Sequence, residues 1–189
     1  MSILPIYTYG HPVLRKKAKP VKTAGHGLAE FVEDMFTTMQ NAGGIGLAAT
    51  QVGSLQRVIV VDVSEMGEEG QGHPPVAMLN PVVVSSQGTR IVEEGCLSIP
   101  DIRGEVERVD AITVRYHDLA LQEHELTADG ILARVILHEI DHLNGVLFID
   151  YLGTVTQKLL TGRLNKIRRG EMEIGYPFIS EQAPVSSTA

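Results

Sequence analysis

Residues 138–142 read His-Glu-Ile-Asp-His, and this short run decides how the rest of the chain is arranged. On a helix with about 3.6 residues per turn, His138 and His142 project from one face, one turn apart. Two imidazoles placed in this way can hold one metal ion, and Glu139 is the residue type that accepts a proton from water beside such an ion. The run therefore predicts a catalytic metal site on a helix.

The helix that carries this run is predicted to begin near Thr127 or Asp129, either of which can cap its first turn, and to end at Gly145. One face is apolar and can anchor the helix in the core: Leu132, Ile136, Ile140 and Leu143. The histidine face also carries candidate pocket walls: Ile131, Arg134 and Val135. We therefore expect a pocket beside the metal site.

A catalytic metal usually has three protein ligands, so a third must come from elsewhere in the chain. At metzincin spacing the third histidine would fall on Phe148, which excludes that class. A peptidase of the thermolysin type would use a downstream glutamate, Glu171 or Glu173, but both follow a basic helix near the end of the chain. Cys96 is the better candidate, because it lies in a polar turn containing a glycine and a bound ion keeps a thiol deprotonated.

Hydrophobic periodicity predicts the elements that surround this helix. Residues 28–39 repeat apolar side chains at helical spacing and end at the glycine pair 43–44. Four short stretches, mostly rich in valine and isoleucine, predict strands of a mainly antiparallel or mixed sheet: 57–63, 77–84, 111–116 and 122–126. Residues 64–75 are rich in Gly, Glu and Pro, which is typical of an exposed loop.

A last helix is predicted over residues 154–168. Its apolar side is expected to hold Leu159, Leu160, Leu164 and Ile167. Five basic residues, four within this helix and one directly after it, form a basic cluster: Lys158, Arg163, Lys166, Arg168 and Arg169. Residues 1–176 are predicted to be a single catalytic domain and residues 177–189 a mobile C-terminal tail.

The composition limits the possible ligands and the compartment. The chain of 189 residues has a formal net charge of -7, which argues against nucleic acid as the main ligand because phosphate binding needs a basic surface. Its single cysteine cannot form an intrachain disulfide. The N-terminus lacks the pattern of a signal peptide and no apolar run is long enough to span a membrane, so a cytoplasmic protein is expected.

The run Gly44-Ile45-Gly46-Leu47-Ala48-Ala49 matches the dinucleotide fingerprint G-x-G-x-x-A. That fingerprint has to follow a strand and open a helix, whereas here it follows a predicted helix and Gly53 interrupts what comes next. A tight turn that lets the backbone approach a neighbour closely is the favoured interpretation. No nucleotide cofactor is expected.

Three segments together resemble the signature motifs of the peptide deformylase family, in the family's order. They are residues 44–51 (Gly-Ile-Gly-Leu-Ala-Ala-Thr-Gln), 94–98 (Glu-Gly-Cys-Leu-Ser) and 138–143 (His-Glu-Ile-Asp-His-Leu). The resemblance covers roughly residues 3–170, with Leu137 in place of a common glutamine and a longer loop at 64–75. It implies an α+β fold whose mainly antiparallel, mixed sheets surround the central metal-binding helix, with a C-terminal helix.

The resemblance implies a hydrolase that removes the formyl group from the N-terminal methionine of newly made proteins and releases formate. It makes Cys96, His138 and His142 the metal ligands and Glu139 the group that moves the proton. The side-chain amide of Gln51 and the backbone N–H of Leu97 would stabilise the oxyanion. The proposed substrate-binding residues are Ile45, Ile131 and Val135 as walls of a methionine pocket, Gly46 for backbone hydrogen bonds, and Arg103 as a further contact.

The resemblance also implies ferrous iron (Fe2+) in a bacterial cell, although a thiolate with two imidazoles equally suits Zn2+, Ni2+ or Co2+. It suggests contact between the basic last helix and the ribosome, close to the formyl-methionyl nascent chains. Three other kinds of protein stay open on the residues alone. One is a zinc peptidase with a glutamate ligand, and the second is a binding module with a structural metal. The third, which the position of the fingerprint disfavours, is a dinucleotide-binding protein.

Overall fold

The computed structural model describes residues 1–25 and 27–182. Within these ranges the helices are α1 (Leu28–Asn41), α2 (Gly130–Leu143) and α3 (Thr154–Arg168). The strands are β1 (Ile6–Tyr7), β2 (Gly46–Ala48), β3 (Val58–Val61), β4 (Val76–Gln87), β5 (Arg90–Cys96), β6 (Ile99–Arg108), β7 (Ala111–His117), β8 (Glu123–Asp129) and β9 (Phe178–Ile179). Short 3-10 turns cover Pro12–Arg15, Ala49–Val52, Gly67–Gly70 and Phe148–Tyr151.

The strands form three separate sheets. Five strands pair antiparallel in the order β2-β3-β4-β7-β8, and β5 and β6 form an antiparallel hairpin. β1 and β9, from the two ends of the described chain, form a parallel pair. The predicted class is confirmed: the fold is α+β, with mainly antiparallel sheets around the helix that carries the histidine motif.

α2 is anchored by its apolar face, as its sequence pattern predicts. Ile136 and Leu143 are fully buried in one hydrophobic cluster with Ile59, Met78 and Val114 of the five-stranded sheet. Burial of each such side chain stabilises the folded state by about 1.5 to 3 kcal/mol relative to leaving it exposed. The sheet therefore fixes the position of α2, and with it the position of the residues on its histidine face.

The start of α2 agrees with one of the two predicted alternatives. Asp129, the last residue of β8, occupies the N-cap position, and the helix begins at Gly130, although the Asp129 side chain makes no capping hydrogen bond. Thr127, the other alternative, lies within β8 and pairs with Thr113 of β7. The other end agrees with the prediction, because Gly145 follows the helix with a positive φ of 77°.

α3 has the predicted bounds but not the whole predicted apolar side. Leu164 and Ile167 are buried, whereas Leu159 is 78% exposed. On a helix with about 100° per residue, Leu159 lies roughly 80° or more away from the others, which takes it off the packed face. None of the described helices has the length and apolar character needed to cross a membrane.

The chain remains packed beyond residue 176. Phe178 is buried and pairs with Ile6, and Ser180 is also buried. These positions fall in the segment predicted as a mobile tail, whose remaining residues from 183 to 189 lie outside the described ranges. The loop at 64–75 is mostly exposed, as predicted, although Gly70 is buried against the carbonyl of Val63.

Candidate metal centre

His138 and His142 lie one turn apart on α2, and their ring centroids are 4.9 Å apart in an edge-to-face arrangement. Both side chains are buried, with 8% and 1% of the residue exposed. Phe148, which follows the helix, stacks on the ring of His138 at 6.3 Å between centroids. Position 148, where a phenylalanine excludes a third histidine ligand, thus provides an apolar contact for the ring of His138.

Cys96 ends β5, at the point where its pairing with β6 shifts register. Its Sγ lies 3.1 Å from Nε2 of His142. The ligand atoms of Cys96, His138 and His142 all lie within 4.8 Å of one another. One thiolate and two imidazoles converging from three sides fit a divalent metal ion, and three protein ligands leave a position for water or substrate.

The alternative carboxylate ligands do not join this group. Glu171 forms an ion pair with Arg169 on the surface, 2.6 Å between Oε1 and Nε. Glu173 lines the cavity next to the centre but is not one of the three converging residues. The donor set of a zinc peptidase with a glutamate ligand is therefore not assembled by the described residues.

Glu94 is the first residue of the 94–98 motif, although the sequence indicates no role for it, and it holds His138 in place. It accepts a hydrogen bond from Nδ1 of His138 at 2.9 Å, and it also accepts from Arg108 Nε at 2.6 Å and from Arg134 Nη1 at 3.0 Å. Burial by itself would raise the pKa of Glu94, but hydrogen bonds from His138 and Arg108 outweigh it and lower the pKa to about 2. A carboxylate on Nδ1 leaves Nε2 of His138 as the ligand atom.

Strand alternation is the signal that relates Glu94 to Cys96. Residues two apart on a strand share a face, but the sequence does not predict the strand over 90–96, so this signal needs the structure. The motif residue Asp141 has a related role, because it accepts from Arg108 Nη1 at 2.6 Å and from the hydroxyl of Tyr151 at 2.9 Å. Arg108 thus links the carboxylates of Glu94 and Asp141 beneath the centre.

We expect Glu94→Gln to weaken metal binding by about 10- to 100-fold, the usual cost of losing an outer partner of a ligand histidine. The amide keeps the size of the side chain but removes the negative charge that orients His138 and neutralises Arg108. Competition of the metal-free protein with a chelator of known affinity for Zn2+ measures the effect. Glu107→Gln, an exposed position on the neighbouring strand, is the control, and equal affinities in the two variants would contradict this role.

Glu139 is 3% exposed, and its burial raises the pKa of its carboxyl group to about 7. Its Oε2 has no hydrogen-bond partner among the described residues, although it is buried. Unpaired buried carboxylate oxygens are costly and point to a ligand or a chemical role. The carboxyl group also borders the cavity beside the three candidate ligands.

Gln51 and Leu97 flank the cysteine. The Gln51 amide accepts from the backbone N–H of Ala48 at 2.8 Å and donates to Oγ of Ser98 at 3.2 Å, and its Nε2 lies 3.6 Å from Cys96 Sγ. These contacts orient the Gln51 side chain, which is buried. Leu97, next to the ligand, lines the cavity.

A cavity of about 860 Å³ opens beside the centre. All five predicted substrate-binding residues line it: Ile45, Gly46, Arg103, Ile131 and Val135. The Arg103 side chain is 68% exposed and lies 3.9 Å from Glu93, so it sits at the rim. Residues 173–176 form a further wall that no local motif indicates, because this segment comes from beyond α3.

Comparisons with known proteins agree with this arrangement. The family model described as polypeptide deformylase matches residues 3–158. A peptide deformylase of Salinibacter ruber is 46% identical over 186 residues, which is 95% of each chain. One of Chlorobaculum tepidum is 42% identical over 187 residues, covering 99% of this chain and 100% of the relative.

Solved structures give the same likeness in three dimensions. The crystal structure of a peptide deformylase from Legionella pneumophila superposes with a TM-score of 0.82 at 38% sequence identity. The match covers 90% of this chain and 98% of the other. Similarity at this level shows that the two chains share the same fold over most of their length.

Proposed function

The chain belongs to the polypeptide deformylase family and is a hydrolase, and on that basis we propose how its residues remove the formyl group from the N-terminal methionine of nascent chains. The observation that carries the proposal is the group formed by Cys96, His138 and His142 with the unpaired, buried carboxyl of Glu139 beside it. The site lies in one catalytic domain, at the side of a cavity large enough for a peptide end.

A divalent ion held by Cys96, His138 and His142 would supply a Lewis acid and allow water to act as a nucleophile near neutral pH. Glu139 accepts the proton of the attacking water and returns it to the amine as the C–N bond breaks, so that formate and a free amino terminus leave. A carboxyl whose pKa lies at about 7 suits transfer in both directions.

Gln51 and Leu97 are proposed as donors to the oxygen of the formyl group. The charge on this oxygen grows as water adds to the carbon, and fixed N–H donors stabilise it without reorganising. Loss of one such donor typically costs about 2.7 to 4 kcal/mol of transition-state stabilisation. The contacts of Gln51 with Ala48 and Ser98 keep its amide in one orientation.

The substrate backbone is proposed to add to the free edge of β2. Among the described strands, β2 is at the end of the five-stranded sheet and pairs with β3 alone, and Gly46 lines the cavity. An extended peptide can therefore make main-chain hydrogen bonds along it. Ile45, Ile131 and Val135 are proposed to enclose the methionine side chain because all three line the cavity, and Arg103 is proposed as a contact at the rim.

We expect Gly46→Ala to lower kcat/KM by about 100-fold, the scale of loss for a displacement near 1 Å. A Cβ at this position would lie 2.5 Å from Oε1 of Glu139 and 2.6 Å from Cγ1 of Val135, so one of these side chains must move. Steady-state assays on a formyl-methionyl peptide measure the change. Gly162→Ala is the control, because a Cβ there meets nothing within 4 Å, and activity in Gly46→Ala equal to that control would refute the close approach.

Ferrous iron is the metal proposed for the cell, with Zn2+, Ni2+ or Co2+ as ions that the same donors would accept. A thiolate ligand beside iron is open to oxidation. Protein loaded with iron should therefore lose activity in air or peroxide, while protein loaded with nickel keeps it. Equal oxygen sensitivity of both forms would argue against iron chemistry at Cys96.

A bacterial cytoplasmic location and contact with the ribosome are also proposed, since the substrate is a nascent chain. Within the basic cluster, Arg168 and Arg169 form ion pairs with Glu181 and Glu171, and Arg163 donates to the backbone carbonyl of Asp101. Lys158 and Lys166 are therefore the side chains to test. Cosedimentation with ribosomes should weaken in a Lys158→Glu, Lys166→Glu variant. Unchanged cosedimentation would exclude this face of the helix as a contact with the ribosome.

The direct test of function is formate release from a formyl-methionyl peptide, with metal content measured on the same sample. The matched acetyl-methionyl peptide should give no acetate at comparable rates, and internal peptide bonds should stay intact. Cleavage within the peptide without formate release would instead support a peptidase and overturn the proposal.

A further inference from the structure

Tyr176 lies outside the residues matched by the family model, which end at 158, yet it reaches the catalytic turn. Its hydroxyl donates to the backbone carbonyl of Leu97, 2.8 Å between the two oxygens. The residue is buried, and its ring belongs to the hydrophobic cluster that includes Met35 and Met39 of α1. The core therefore fixes the position of the Tyr176 ring, and the hydroxyl stabilises the turn that contains Leu97.

The turn that Tyr176 contacts joins the metal ligand Cys96 to Ser98. On its far side the carbonyl of Ser98 accepts from the N–H of Tyr9 at 2.8 Å, and Oγ of Ser98 accepts from the Gln51 amide. Successive peptide planes are linked only by the rotations at each Cα. The Tyr176 hydrogen bond fixes the plane between Leu97 and Ser98, which adjoins the plane that carries the N–H of Leu97.

We propose that Tyr176 is a positioning residue that holds the Leu97 peptide so that its N–H donates to the formyl oxygen as charge develops there. This inference rests on the proposed function, because Leu97 is the oxyanion donor only if the site deformylates. Without the hydroxyl, the bond between Cα and the carbonyl carbon of Leu97 is free to rotate. The N–H of Leu97 then no longer has a fixed direction. The donor is then present but imperfectly aligned.

Removing only the hydroxyl tests this role, since Tyr176→Phe keeps the ring in the core. We expect kcat to fall about five- to tenfold, the rate equivalent of one ordinary hydrogen bond, with KM changed less than twofold. Metal content should stay at the wild-type level. Hydrogen-deuterium exchange should become faster in the segment 94–100 and stay unchanged in α2.

Tyr116→Phe, which makes the same chemical change in β7 outside the residues that line the cavity, is the matched control and should keep wild-type kcat. A Tyr176→Phe protein with wild-type kcat and wild-type exchange at 94–100 would overturn the inference. So would a lower melting temperature with unchanged kcat per folded molecule, since that is the result of a purely structural contact. If the wild-type protein releases no formate, the proposed function fails, which is a different result from these.

Discussion

Glu139→Gln is expected to lower kcat/KM by roughly 10³-fold, within the range of about 10² to 10⁴ that general acid–base catalysis supplies. The loss should fall at the upper part of this range because one carboxyl serves both proton transfers. Metal content should be unchanged, since the side chain is not among the three converging ligands. Assay of formate release beside metal analysis separates these two effects.

The same variant carries a prediction for stability. Burial disfavours the charged carboxyl of Glu139, as its pKa of about 7 indicates, so a neutral amide of the same size should not lower the melting temperature above pH 7. Glu30→Gln, an exposed change on α1, is the control for both measurements. Activity of Glu139→Gln within tenfold of that control would remove Glu139 from the mechanism.

Cys96→Ala is expected to abolish stable metal binding and, with it, measurable deformylation. Loss of a ligand atom should weaken binding by more than the roughly 10- to 100-fold that follows loss of an outer partner. The Sγ lies 3.1 Å from Nε2 of His142, and no other described carboxylate or thiol joins the group to replace it. Metal content after dialysis, measured on the folded variant, checks the result.

Glu173→Ala is the matched control, because Glu173 borders the same cavity and is one of the two glutamates that could serve as ligand in a peptidase of the thermolysin type. It should retain about one metal ion per chain. The opposite pattern, with metal kept in Cys96→Ala and lost in Glu173→Ala, would reassign the third ligand and the reaction class.

The parts of the site that depend on local spacing could be predicted from the sequence. The grouping of His138, Glu139 and His142 follows from helical periodicity. The ligand count of a catalytic metal calls for a third ligand, for which the residues make Cys96 the better candidate and the family resemblance makes it the expected one. Glu94 could not be assigned in the same way, because its role depends on Arg108, fourteen positions along the chain, and on the burial of both side chains. A glutamate in isolation is more often a solvated residue.

Strand prediction shows a similar limit. β5 and β6 contain many charged residues, two glycines and Pro100, so their composition does not favour strands. They form a hairpin because they pair with each other along its length and bury one side, which includes Ile102 and Val106. β3 and β7, whose side chains are mostly apolar, could be predicted because burial shows directly in their composition.

The parallel pairing of β1 with β9 has a consequence for the order in which the molecule is completed. Ile6 pairs with Phe178, so during synthesis β1 has to wait for β9, which follows it by about 170 residues. Contacts between such distant positions form late, because a long loop must close first. Tyr176 lies two residues before β9 and reaches Leu97 in the same step. An enzyme that trims the beginning of other proteins thus completes its own site only after residues 176–179 have been made.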